Sequence, residues 1–83
     1  MAGKNIIGAR VHLARKKAKP RLTQADIAAR LQIKGIRIDR AGVSKIEIGY
    51  REVTDIEAKV LAETLGVTVA WLYSEDDILD QKK

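Results

Sequence analysis

Arg40, Ala41, Ser44 and Lys45 follow one another at steps of one and three residues, which lines them along one side of a helix. Their chemistry is complementary. A guanidinium donates two parallel hydrogen bonds, an ammonium brings a compact charge, a hydroxyl donates or accepts, and a methyl offers apolar contact. Such a set suits the edges of stacked bases. Arg40 or Lys45 would reach a guanine, Ser44 a base or a phosphate, and Ala41 a thymine methyl. A solvated helix face is the plainer reading, and the placement of these residues on a short capped helix weighs against it.

Other chemistries find little support. His12 is the only histidine, and Gly8, Arg15 and Lys16 on its own helix face bring no carboxylate, so it reads as a surface residue. The acids Glu75, Asp76, Asp77 and Asp80 lack the glycine and oxygen spacing of a calcium loop. There is no cysteine, which excludes disulfides, thiolate metal sites and a thiol nucleophile. Neither a phosphate-cradling glycine loop nor a nucleophile–base pairing is visible. The sequence therefore points to no enzyme, no catalytic residue, no metal, no cofactor and no small-molecule ligand.

Charge is divided along the chain. Through Arg51 there are thirteen Lys and Arg against three acids, and from Glu52 onward three Lys against eight acids. The first part therefore carries the positive field, as a polyanion-binding face would. Lys16, Lys17, Lys19 and Arg21 form its densest cluster. The 83 residues suffice for one domain spanning 1–83. The apolar runs are too short for a membrane span, and residues 1–6 hold no signal core, so a cytoplasmic protein is expected.

The elements that must position these groups are all helical. Ile7, Val11, Ala14 and Ala18 line one face of a first helix, which Pro20 stops. Thr23 and Asp26 have capping-box spacing and open a second helix over 24–31, with Ile27, Ala28 and Leu31 inward. Residues 32–38 include Gly35 and alternate apolar and polar from Ile36. They read as an enlarged turn, because a lone strand would have no partner. Asp39 caps a third helix over 40–48 with Val43 and Ile46 inward, and Gly49 suits its end. Thr54 and Glu57 box a fourth helix, with Ile56, Val60, Leu61 and Leu65 on the buried side, and Gly66 ends it. Thr68 caps a short fifth helix carrying Val69, Trp71 and Leu72, with Trp71 sealing it onto helices one and four. A frayed tail is expected from about residue 75.

With these elements in order, the chain resembles the Xre-like, Cro/repressor-type helix-turn-helix family, the lambda-repressor-like domains of bacteria and their phages. The resemblance lies in Leu22-Thr23-Gln24, Ile27-Ala28, Leu31, Val43-Ser44-Lys45-Ile46-Glu47, Gly49, Leu61-Ala62 and the run from Leu65 to Leu72. It implies an all-α, five-helix fold in which helix three reads the major groove of double-stranded DNA. It further implies base contacts by Arg40, Ala41, Ser44 and Lys45. Phosphate contacts would come from Thr23 and Gln24 at the start of helix two and from Tyr50 and Arg51 after helix three. Arg15 and Glu47 match a structural ion pair of the family. The chain departs from the pattern by about five extra residues before Asp39, where Lys34 and Arg37 could add phosphate contacts, and by an apparent insertion at Lys19-Pro20. Gly42 within the reading helix is a further peculiarity, costing about 1 kcal/mol against alanine.

The leading reading is a sequence-specific transcriptional regulator of repressor type, acting as a homodimer on a two-fold operator. Leu72, Tyr73, Ile78 and Leu79 are the candidates for the dimer contact. A different class of reading is a protein-interaction module or antitoxin-like partner on the same fold, docking through exposed Ile33, Ile36 and Ile38. Nonspecific nucleic-acid binding is a third.

Overall fold

A computed structural model describes residues 3–74 of the chain. The acidic cluster and the frayed tail expected from residue 75, together with Ile78 and Leu79, lie outside the described residues. Five helices follow in order: α1 (Gly8–Lys17), α2 (Gln24–Ile33), α3 (Arg40–Glu47), α4 (Asp55–Leu65) and α5 (Val69–Leu72). Among the described residues there is no strand, and no helix is long and apolar enough to cross a membrane.

Four helices start on a local side-chain cap. The Thr23 hydroxyl accepts the Asp26 N–H while the Asp26 carboxylate accepts the Thr23 N–H, and Thr54 and Glu57 repeat this reciprocal pairing on α4. Asp39 accepts from Gly42 N–H on α3, and Thr68 from Trp71 N–H on α5. The apolar stripe of each helix then meets in one core. Ile7, Val11, Ile27, Leu31, Ile38, Val43, Ile46, Leu61 and Leu72 are its fully buried members. α3 packs against both α1 and α2, and α4 closes the other side against the same two helices.

Two expectations about the core are corrected. Ile56 is not buried but 66% exposed. The inward row of α4 is Ala58, Leu61, Ala62 and Leu65, and Ile56 lies two residues ahead of it, on the opposite side of the helix. Leu72 is fully buried, so it holds α5 in the core and is closed to a second subunit. Val69 on α5 and Tyr73 just after it are the large apolar side chains left exposed at this end of the fold. Trp71 is half-buried against the core, with the Arg10 guanidinium 4.6 Å from its ring centre and α1 and α4 residues around it.

The enlarged turn is more regular than the sequence suggests. α2 runs to Ile33, two residues past the expected end. Gly35 follows in the left-handed conformation (φ 85°), the Ile36 N–H donates to Leu31 O at 2.9 Å, and the Gly35 N–H donates to Gln32 O at 3.0 Å. This double closure satisfies the last carbonyls of α2 and folds Ile36 back onto the helix. The three isoleucines separate accordingly. Ile38 is 2% exposed, Ile36 packs partly against the core, and only Ile33, at 85% exposure, faces solvent. The apolar docking patch of the interaction-module reading is thereby reduced to one residue. Ile38 also explains Gly42, since a Cβ there would stand 2.8 Å from the Ile38 side chain.

Candidate nucleic-acid interface

α3 owes its orientation to Val43 and Ile46, both fully buried, which turn the opposite side of the helix to solvent. Arg40, Ala41 and Lys45 are exposed there and Ser44 is half-buried. Among the described residues none of these side chains is engaged in a hydrogen bond or ion pair, so their donors are available to a ligand. The Asp39 carboxylate caps the start of α3 at 2.8 Å from Gly42 N and is well placed against the positive end of the helix dipole.

Behind this row lies a polar junction of three helices. The Glu47 side chain is only 4% exposed. Its Oε2 accepts from Arg15 Nε at 2.7 Å, and its Oε1 accepts from Arg15 Nη2 at 3.0 Å and Gln24 Nε2 at 3.1 Å. His12 Nδ1 stands 2.9 Å from the same Oε1. Arg15 also donates to Leu22 O at 3.2 Å, fixing the segment that leads into α2. Burial alone would push the Glu47 carboxyl up, but the hydrogen bonds from Arg15, His12 and Gln24 together hold it below the usual glutamate range. The Arg15 guanidinium is raised by its hydrogen bonds to Glu47, against an opposing effect of burial. His12 lies at the surface as expected, its side chain 49% exposed, but it has a carboxylate neighbour. Its carboxylate partner comes from α3, out of reach of any spacing rule applied to α1.

The candidate phosphate contacts fare differently from one another. Gln24 gives one amide hydrogen to Glu47 and keeps a second. Thr23 is occupied as the cap of α2. Tyr50 and Arg37 are exposed. Lys34 lies 3.8 Å from Glu63 of α4, a wide pairing between exposed side chains. Arg51 is the least open of them. It grips the Glu57 carboxylate with Nη1 at 3.0 Å and Nη2 at 3.3 Å, and Nη1 also donates to Glu52 O. These hydrogen bonds lower the Glu57 carboxyl against a smaller effect of burial. Lys16, Lys17, Lys19 and Arg21 are all exposed beside the entry to α2.

Two residues escape a reading of local spacing altogether. Asn5 accepts from the N–H groups of Ile7 and Gly8 at 3.0 and 2.8 Å, which opens α1. Its amide donates to Ile46 O at 3.1 Å and to Arg51 O at 2.7 Å, which ties α1 to the end of α3 and the loop beyond. Gly8 permits that approach, because a Cβ on it would collide with the backbone carbonyl oxygens of Ile46 and Glu47. Among the described residues no group of three or more His, Cys, Asp or Glu is gathered as a metal site would require.

Comparison with curated proteins and with solved structures finds no match. The helix-turn-helix family model does match, over residues 12–72, from His12 in α1 to Leu72 in α5. That span covers most of the chain and contains α2, α3 and the turn between them. The five-helix arrangement, the Arg15–Glu47 clamp and this match lead to one conclusion: the chain belongs to the Cro/repressor-type helix-turn-helix family of DNA-binding regulators.

Proposed function

We propose that the protein is a sequence-specific transcriptional regulator of repressor type that reads the major groove with α3, beginning at Asp39. The observation carrying this reading is the division of labour on α3. Its inward side is filled by Val43, Ile46 and the clamped Glu47, while Arg40, Ala41, Ser44 and Lys45 stand outward with their donors unengaged. In this reading Arg40 and Lys45 select purine edges, Ser44 and Ala41 refine the choice, and Thr23, Gln24, Tyr50 and the basic residues around them set register on the phosphates. Arg37 lies close enough to α3 in sequence to join them. Arg51 and Lys34 contribute less, being paired with Glu57 and Glu63.

A reader of this size touches few base pairs, so useful discrimination favours a homodimer on a two-fold operator. Val69 on α5 and Tyr73 just after it, both exposed, are suitable contacts for it. A cytoplasmic site of action follows from a bacterial or phage operator as target. The interaction-module reading keeps only Ile33 as an exposed anchor and is not favoured. Selection from a random duplex library tests the proposal. The expected result is a two-fold-related motif, with Arg40→Ala relaxing one base position in each half. Binding without any enriched motif would leave nonspecific association as the function.

A further inference from the structure

The loop after α3 presents a contradiction that the residues before α1 resolve. Tyr50 and Arg51 are where a DNA backbone contact is expected, yet the Arg51 guanidinium is held by Glu57 and Glu52. Arg51 and Glu57 cancel, and exposed Glu52 adds a negative charge. The loop alone therefore offers a phosphate no unpaired cation.

The chain ahead of α1 supplies a replacement cation. The Lys4 N–H donates to Gly49 O at 2.9 Å, and the Asn5 amide donates to Arg51 O at 2.7 Å and Ile46 O at 3.1 Å. These bonds lay residues 4 and 5 against the loop instead of leaving them to trail in solvent. Gly8 lets α1 come close enough for this to happen. Lys4 then borders an open depression of 570 Å³ together with Tyr50, Arg51, Glu52, Thr54 and Glu57. Its ammonium is exposed and, among the described residues, has no ion-pair partner. The Tyr50 N–H closes onto Lys45 O at 2.8 Å, so the depression adjoins the last turn of the reading helix and its outward Lys45. A duplex seated on α3 brings phosphates to both of its flanks.

We propose that Lys4 is a DNA phosphate contact, acting beside the Tyr50 hydroxyl in the depression next to the α3–α4 loop, and that Asn5 is the positioning residue that holds it there. This rests on the DNA-binding reading above. It assigns the loop's phosphate affinity to a lysine that precedes α1 and leaves Arg51 a structural role.

The test is a titration of a fluorescent mixed-sequence duplex over a salt series, with melting temperature followed for each variant. Lys4→Ala is expected to lower the slope of log affinity against log salt by about one, as removal of a single phosphate-neutralising cation should. Its base preference and melting temperature stay as in the intact chain. Asn5→Ser keeps a side-chain oxygen that can open α1, removes the amide donors and adds no charge. It should reproduce the reduced slope, and adding Lys4→Ala to it should lower the slope no further. Tyr50→Phe should weaken binding several-fold at unchanged slope, because a neutral donor releases no counterion. An unchanged slope for Lys4→Ala, with the intact chain binding duplex, overturns the assignment and leaves the reading of α3 intact. Failure of the intact chain to bind duplex even at low salt overturns both.

Discussion

The two sides of α3 treat charge in opposite ways. On the inner side Glu47 is almost wholly enclosed, and its two oxygens take hydrogen bonds from Arg15 and Gln24, with His12 in bonding range. On the outer side Arg40 and Lys45 stand exposed and unengaged. A buried carboxylate without partners is expensive, so each donor around Glu47 is required by the fold. An exposed cation contributes little to folding and remains available to bind. The contrast separates residues that hold the reading helix in place from residues that read, though both are polar and near neighbours in sequence.

The contrast breaks most visibly at its buried side. Glu47→Ala leaves the Arg15 guanidinium desolvated and unpaired, and it should destabilise the chain by about 3–5 kcal/mol, read from the urea midpoint. Replacing the pair together, Arg15→Met with Glu47→Leu, should recover much of that deficit, since no charge is then stranded. Gly8→Ala comes next. The added methyl meets the carbonyls of Ile46 and Glu47, which are backbone and yield little, so a destabilisation of about 1–3 kcal/mol is expected in the same measurement.

Acid should act on the same side. Glu47 and Glu57 both have carboxyls below the ordinary 4.5 in the folded chain. A lowered folded value means that the unfolded chain binds protons first. The stability these groups bring is therefore fully present above 4.5 and declines as pH falls through their lower folded values. Urea midpoints collected from neutral pH downward should drop steadily in that window, and Glu47→Gln should flatten the decline.

Most helices can be read from the residues because their causes are local. Thr23, Asp39, Thr54 and Thr68 each sit at a cap, and the stripes they introduce have helical spacing. Errors arise where the cause lies elsewhere in the chain. Gly35 is legible as a glycine but not as the terminator of α2, because residues 32–38 mix a helix end with an apolar segment. Ile56 looks inward if every large aliphatic is counted, but the small Ala58 and Ala62 define the buried row. At the site, the Arg15–Glu47 pair is reachable only through family resemblance. His12 at Glu47 and Asn5 at Arg51 join residues more than thirty positions apart, which no periodicity encodes. The pairing of Arg51 with Glu57 spans only six residues, yet the intervening turn hides it from helical spacing.

The smallest expected change in stability belongs to the outer side of α3 and bears most directly on its role. Arg40→Ala should be compared with the intact chain in two measurements on one preparation, the urea midpoint and the affinity for the duplex enriched by the intact protein. The expected result is a stability change within about 0.5 kcal/mol and an affinity weakened by about 1–3 kcal/mol, with relaxed preference at one base position. Unchanged affinity, or an affinity that weakens only in step with stability, would contradict the claim that this row of α3 reads DNA.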